Sequence, residues 1–244
     1  MPSDGAANDL FGSSVAISAD RIVVGAFGDN NEKGSAYIYT IDGDFLDKIQ
    51  APDREIGDKF GWSISISDDT IVVGTPEDRD AGANSGSAHV FTKDGDYIAK
   101  LTAPDAAQSD KFGQSVAVSG DIIAVGSYWD DDNGEESGSV YLYDTDGNFI
   151  IKLRAPDADT GDRFGVSIDI ADDRVIIGSH FNNANTINDG SVYIFDINGT
   201  YIDEVMAPGG EQNDNFGWSV SLSGDTIVGA SNSGSAYICI EYEC

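Results

Sequence analysis

Only two cysteines and two histidines occur in the 244 residues, and 13 lysines and arginines stand against 43 acids. Both cysteines, Cys239 and Cys244, lie near the C-terminus, so no disulfide framework and no paired CxxC metal motif shapes the chain. They can bridge each other, pair with another chain or stay reduced. The shortage of basic residues leaves a formal net charge of −30. That excludes nucleic acid as the expected partner, because phosphate contacts need clustered Lys and Arg, and it disfavours anionic membrane surfaces. No apolar run approaches the roughly 18 residues of a membrane span, so membrane insertion is not expected. The opening segment MPSDGAANDLFG has neither a basic n-region nor an apolar h-region, and so does not read as a signal peptide. Catalytic signatures are equally scarce: there is no GxSxG elbow, no HExxH, no GxxxxGK[ST] and no Cys/His pair. The expectation is a protein that is not an enzyme. The enzymatic rival is a glycoside hydrolase using two carboxyl groups roughly 5 to 9 Å apart, one with a raised pKa.

What is abundant is repetition. Phe-Gly recurs at Phe11-Gly12, Phe60-Gly61, Phe112-Gly113, Phe164-Gly165 and Phe216-Gly217, at intervals of 49, 52, 52 and 52 residues. Each unit then follows one script. In the second, FGWSISIS (60–67) alternates large apolar residues with serine, the period of a strand. A tight turn leads to TIVVG (70–74), a continuous apolar run suited to a strand buried on both faces. A longer loop precedes GSAHVF (86–91), and Asp94-Gly95 then turns the chain into DYIAKLTAP (96–104). The Asp-Gly and Asn-Gly pairs at 42–43, 94–95, 146–147 and 198–199 predict type I′ hairpins. Four short antiparallel strands in about 50 residues describe a propeller blade. The chain therefore reads as all-β: one domain over 1–244, a five-bladed β-propeller of four-stranded blades, with repeats of about 1–58, 59–110, 111–162, 163–214 and 215–244. The fifth unit stops after its third strand, so the last blade is incomplete and its third strand is an expected open edge. Ser63, Ser65 and Ser67 form a small-residue face that lets a neighbouring blade approach, while Phe60, Trp62, Ile64 and Ile66 wedge into the other neighbour.

These residues resemble the FG-GAP repeat family, known from the propeller heads of integrin α subunits. The likeness rests on the opening Phe-Gly and on a Gly-Ala-Pro-like triplet ending the second strand: Gly25-Ala26-Phe27, Gly74-Thr75-Pro76, Gly126-Ser127-Tyr128, Gly178-Ser179-His180 and Gly229-Ala230-Ser231. The resemblance implies a propeller, an extracellular or cell-surface location, and adhesion or ligand binding through exposed loops. Integrin repeats carry an Asp-rich DxDxDG calcium loop between the FG and GAP strands. Here that connection is a short turn such as Ser18-Ala19-Asp20-Arg21, so the integrin calcium site is not carried over to any unit.

Loops between the second and third strands, and those between blades, should emerge on one face, which is the expected binding face. The former hold 8, 11, 11, 11 and 4 residues between flanking glycines. Their oxygen ligands make Asp29, Asn31, Asp78, Asp80, Asn84, Asp130, Asp132 and Asn133 the candidate metal ligands. Calcium is an optional ligand, and no cofactor is required. Asp9, Asp58, Asp110, Asp162 and Asp214 stand two residues before each Phe-Gly, as caps of the loop entering each blade or as a ring of carboxylates. Phe27, Tyr128, Trp129, His180 and Phe181 follow the second strand and are the candidate ligand-binding residues. The functional expectation is a binding or adhesion propeller recognising a protein or glycan through these loops. The alternative is a structural subunit that self-assembles through its fifth blade.

Overall fold

The computed structural model describes residues 4–184 and 186–240. Five antiparallel sheets follow one another along the chain. The first contains β1 (Val15–Ile17), β2 (Arg21–Ala26), β3 (Ser35–Thr40) and β4 (Phe45–Ile49). The second contains β5 (Ser63–Ser67), β6 (Thr70–Thr75), β7 (Ser87–Thr92) and β8 (Tyr97–Leu101). The third contains β9 (Ser115–Ser119), β10 (Ile122–Ser127), β11 (Ser139–Asp144) and β12 (Phe149–Leu153). The fourth contains β13 (Ser167–Ala171), β14 (Arg174–Ser179), β15 (Ser191–Asp196) and β16 (Tyr201–Met206), and the last only β17 (Ser219–Ser223), β18 (Thr226–Ala230) and β19 (Ala236–Ile240). Strand order within each sheet is sequential. These are the blades of a five-bladed β-propeller whose last blade has three strands, as the repeats predict. Two compact units are distinguished, Met1–Ile123 with Tyr143–Phe149, and Ala124–Leu142 with Ile150–Cys244.

In the first unit the FG and GAP motifs turn out to be two halves of one joint. Gly74 ends the apolar run of β6, and a Cβ placed there would lie 2.0 Å from the carbonyl oxygen of Gly113 in the next Phe-Gly. A Cβ at Gly25 would likewise lie 2.3 Å from the Gly61 carbonyl. Only glycine permits that backbone approach. The same carbonyls are taken up by serine hydroxyls: Ser14 Oγ donates to Gly61 O at 2.7 Å, and Ser63 Oγ to Gly113 O at 2.8 Å. The second unit repeats the joint, with Gly178 against Gly217 and Ser167 Oγ donating to Gly217 O at 2.7 Å. From the second blade on, the phenylalanine of the Phe-Gly pair is buried and hydrogen-bonds backbone to backbone with the segment entering the preceding third strand: Phe60 N to Lys33 O, Phe112 N to Ser85 O, Phe164 N to Ser137 O and Phe216 N to Asp189 O. Apolar packing completes the contact. Phe60, Ile64 and Ile66 of the second blade pack with Val23, Ala36, Ile38 and Ile49 of the first. Phe216 and Leu222 of the fifth pack with Ile176, Val192 and Ile194 of the fourth. The small and large faces of strand one are thus used as the sequence suggests.

Two details depart from the sequence reading. The hairpins joining third and fourth strands are not type I′, because only their glycines have positive φ, at Gly43, Gly95, Gly147 and Gly199. Each glycine N–H bonds to the carbonyl three residues back, and the residue at that carbonyl bonds to the one after the glycine, as in Gly95 N to Thr92 O and Thr92 N to Asp96 O. That is a three-residue loop with a glycine bulge, and the register shifts beside it between Val90 and Phe91. In the fifth blade the pairing Ser219↔Ala230 corresponds to Ser63↔Gly74 in the second. The joint position is therefore held by Ala230, and Gly229 has moved one place along to lie under the Phe216 ring. Cys239 is fully buried and disulfide-bonded, while Cys244 lies outside the described residues.

Candidate functional site

The loops are held at their roots in the same way from blade to blade. The repeated aspartates accept a backbone N–H three residues upstream: Ala6 N to Asp9 at 2.5 Å, Glu55 N to Asp58 at 2.5 Å, Ala107 N to Asp110 at 2.6 Å, Asp159 N to Asp162 at 2.7 Å and Glu211 N to Asp214 at 2.7 Å. They cap the segments that lead into the blades, the simpler of the two roles read from sequence. Burial pushes the Asp162 carboxyl up to about 6 against that hydrogen bond, with Asp157 and Asp159 adding like charge.

The acidic loop residues converge on lysines that the sequence reading passed over. Asp78 is buried where the loop after β6 leaves the sheet, and Asp80 follows it. Their carboxylates and that of Asp53 come within 4.8 Å of one another. Lys100, reaching up from β8, places Nζ at 2.7 Å from Asp53, 2.8 Å from Asp78 and 2.7 Å from Asp80. Burial pulls this ammonium down, but the hydrogen bonds to the three carboxylates outweigh it and hold the pKa above the ordinary lysine range. The first blade repeats the cage, with Lys48 at 2.8 Å from Asp29 and 2.6 Å from Asp4. In the second unit Lys152 lies 2.9 Å from Asp130 and 2.5 Å from Asp132, which also pairs with Arg154. Of the candidate metal ligands, then, Asp29, Asp78, Asp80, Asp130 and Asp132 are brought to a cation site, and the cation is a side chain of the same blade. Asn84 accepts the Lys111 N–H through its backbone carbonyl. Asn133 donates its backbone N–H to Ser137 Oγ, and Asn31 is an exposed residue with left-handed backbone. The missed signal was a register: each lysine stands five residues after the turn glycine, as Gly43–Lys48, Gly95–Lys100 and Gly147–Lys152.

The candidate ligand-binding aromatics form stacks. In the first unit Phe27 packs on Trp62 with ring centroids 4.8 Å apart, and Lys59 lies over the indole. In the second unit a continuous chain runs from Tyr128 to the Arg163 guanidinium at 5.9 Å, to Phe181 at 4.8 Å, to His180 at 4.1 Å and to Trp218 at 5.0 Å. Tyr128 also packs on Trp129, and Glu136 accepts from Arg163 Nε and Nη2. His180 is buried with neither ring nitrogen hydrogen-bonded, and burial, with Arg163 nearby, pushes it down to about 4. Trp218 at the end of the chain is 48% exposed. His89, in contrast, sits deep in the second blade against Phe60, and burial pushes it down to about 4 as well.

Blades of four antiparallel strands joined through Phe-Gly and glycine backbones define a β-propeller repeat protein. Five stretches, 1–39, 45–91, 96–143, 148–195 and 202–239, match the FG-GAP repeat, and the chain belongs to that family. No curated protein matches it. Among solved structures it is similar to the computationally designed Ika4 protein, with 13% identity over 72% of this chain and 88% of that one and a TM-score of 0.49. Among the described residues no helix is long and apolar enough to cross a membrane.

Proposed function

We propose that this protein is a non-catalytic binding propeller, extracellular or at the cell surface, that recognises a protein or glycan through the loop face of its blades. The observation that carries this reading is the Tyr128–Arg163–Phe181–His180–Trp218 stack. It rises from the ends of second strands and the starts of first strands, and it finishes in a half-exposed indole. A sugar ring stacks on such a face, and neighbouring carboxylates and amides accept its hydroxyl protons. The same surface suits an aromatic or cationic protein side chain. The loops around it share fixed roots while their tips differ, which is how a scaffold carries one specificity on a repeated frame. A glycan array and a partner pull-down with Trp218→Ala test the reading, with and without calcium chelation. Loss of binding in the variant supports it. Binding that survives Trp218→Ala removes the stack from the site. Loss on chelation would add calcium to the site.

A second reading, a structural subunit that self-assembles through the fifth blade, is favoured by the face of β19. Ile238 and Ile240 are 65% and 59% exposed there, and among the described residues no strand pairs beyond β19. Sedimentation of the chain against an Ile238→Asp variant decides it. A concentration-dependent oligomer lost in the variant supports assembly, and a monomer throughout rejects it.

A further inference from the structure

Three blades supply a lysine to the carboxylates around the root of the long loop, and the fourth does not. Cross-strand register fixes the equivalence: Tyr37 faces Lys48, His89 faces Lys100 and Tyr193 faces Glu204. The turn-glycine spacing agrees, since Glu204 stands five residues after Gly199. The loop acid changes with it, because Asn182 occupies the place of Asp29, Asp78 and Asp130, four residues after the joint glycine. The acid entering the blade is kept as Asp157, seven residues before Phe164, as Asp4 and Asp53 precede Phe11 and Phe60.

The fourth-blade cage is therefore built of oxygen. Tyr193 Oη donates to Asp157 Oδ1 at 2.7 Å and accepts from Asn182 Nδ2 at 2.8 Å. Ser191 Oγ lies 2.5 Å from Glu204 Oε1 and 3.2 Å from Asn182 Oδ1. Asn182 and Tyr193 are buried, and Asp157 is exposed at the mouth. Burial, together with the nearby charge of Asp157, raises the Glu204 carboxyl, the opposite of the lowered Asp53 carboxyl beside Lys100. The acids alone would not make a site. The independent observation is that the equivalent place in the first three blades holds an ammonium group at 2.5 to 2.9 Å from its carboxylates.

We propose that the cage of Asp157, Asn182, Ser191, Tyr193 and Glu204 takes from outside the chain the cation that the other blades supply themselves, and that this cation is a primary ammonium group borne by a ligand. The carboxylates give the charge and the buried amide and hydroxyls give directed acceptors, an arrangement matched to three N–H donors on a compact head. This deepens the binding reading of the loop face and rests on it.

The test is thermal unfolding of the full chain in n-butylamine hydrochloride, a lysine side-chain analogue, against sodium chloride at equal ionic strength and against calcium chloride. A ligand that binds only the folded state raises the Tm with its concentration, here by about 2 to 4 °C over the sodium control. The double variant Asn182→Asp/Glu204→Lys rebuilds the cage of the other blades. It should have a higher Tm without amine and no amine response. The milder Glu204→Gln should fold as the parent does and lose most of the response. An equal Tm in butylammonium and sodium, or an amine response unchanged in both variants, overturns the proposal. A response to calcium alone, lost in Glu204→Gln, also overturns it by assigning the cage to a metal ion. Ligand binding lost in Trp218→Ala with the amine response intact keeps the two proposals separable.

Discussion

The second and fifth blades open on nearly the same strand, FGWSISIS at 60–67 and FGWSVSLS at 216–223, yet their environments differ. Both use the large face against the blade before. On the small face the second blade receives its successor: Ser63 bonds Gly113 O, Ser65 Oγ accepts from Val118 N at 3.1 Å, and Val72 and Val90 are fully buried. The matching row of the fifth blade, Ser221–Val228–Ile238, leaves Ile238 65% exposed. The glycine of the joint has also become Ala230. The close backbone approach made at Gly74 requires glycine at that place. An alanine methyl at that position occupies the space where an incoming Phe-Gly carbonyl would lie.

The largest expected effect breaks that difference from the interior side. Gly74→Ala puts a methyl about 2.0 Å from the Gly113 carbonyl, a backbone clash that no rotamer relieves. It should destabilise by about 3 kcal/mol, at the top of the usual range for overpacking, as read by denaturant unfolding. Ala230→Gly in the fifth blade should cost no more than about 1 kcal/mol, the ordinary price of glycine in a strand. Equal costs at the two sites would refute the joint. Next, Lys100→Met leaves Asp53, Asp78 and Asp80 without their cation and should cost about 3 kcal/mol. The same variant should acquire a butylammonium-dependent Tm like that expected of the fourth blade. A Lys100→Met chain indifferent to amine would separate the two cages chemically.

A smaller effect comes from the buried histidines, His89 in the second blade and His180 beside the fifth. Each titrates near 4 when folded, against about 6.5 in an unfolded chain. The unfolded state therefore binds more protons between those values. Stability is full above pH 6.5 and is lost as pH falls towards 4. Asp162, raised to about 6, works the other way, gaining stability as pH falls through 6. The difference between wild type and His180→Phe isolates one histidine and should amount to about 1 to 3 kcal/mol across that window. A flat difference curve would show that His180 is not held neutral. Smallest of all, Ile238→Ala should change stability by no more than about 0.5 kcal/mol, whereas Ile38→Ala, at the equivalent buried place in the first blade, should cost about 2 to 5 kcal/mol.

The blades themselves were legible because each depends on local chemistry. Alternating serine and large apolar residues fix the first strand, an unbroken apolar run fixes the second, and Asp-Gly fixes the turn to the fourth. The turn type was not legible, since whether Asp94 joins Gly95 at positive φ depends on how the flanking strands twist. The cages were hidden for another reason. Asp53, Asp78 and Lys100 lie on three different segments, and acidic loop residues read alone suggest a metal. Only the aligned positions Lys48, Lys100, Lys152 and Glu204 reveal who supplies the cation and who does not.

By itself, then, the amino-acid sequence determined the family and the five repeats, because these follow from spacing and period. The tertiary structure decided what those motifs are for. Phe-Gly and the second-strand glycine are one joint because the two backbones approach within reach of a hydroxyl. The acidic loops of the first three blades each enclose a lysine of their own blade because strand four runs back beneath them. In the fifth blade the glycine stands one residue along β18, against the Phe216 ring, and Ala230 holds the position that glycine takes in the other joints.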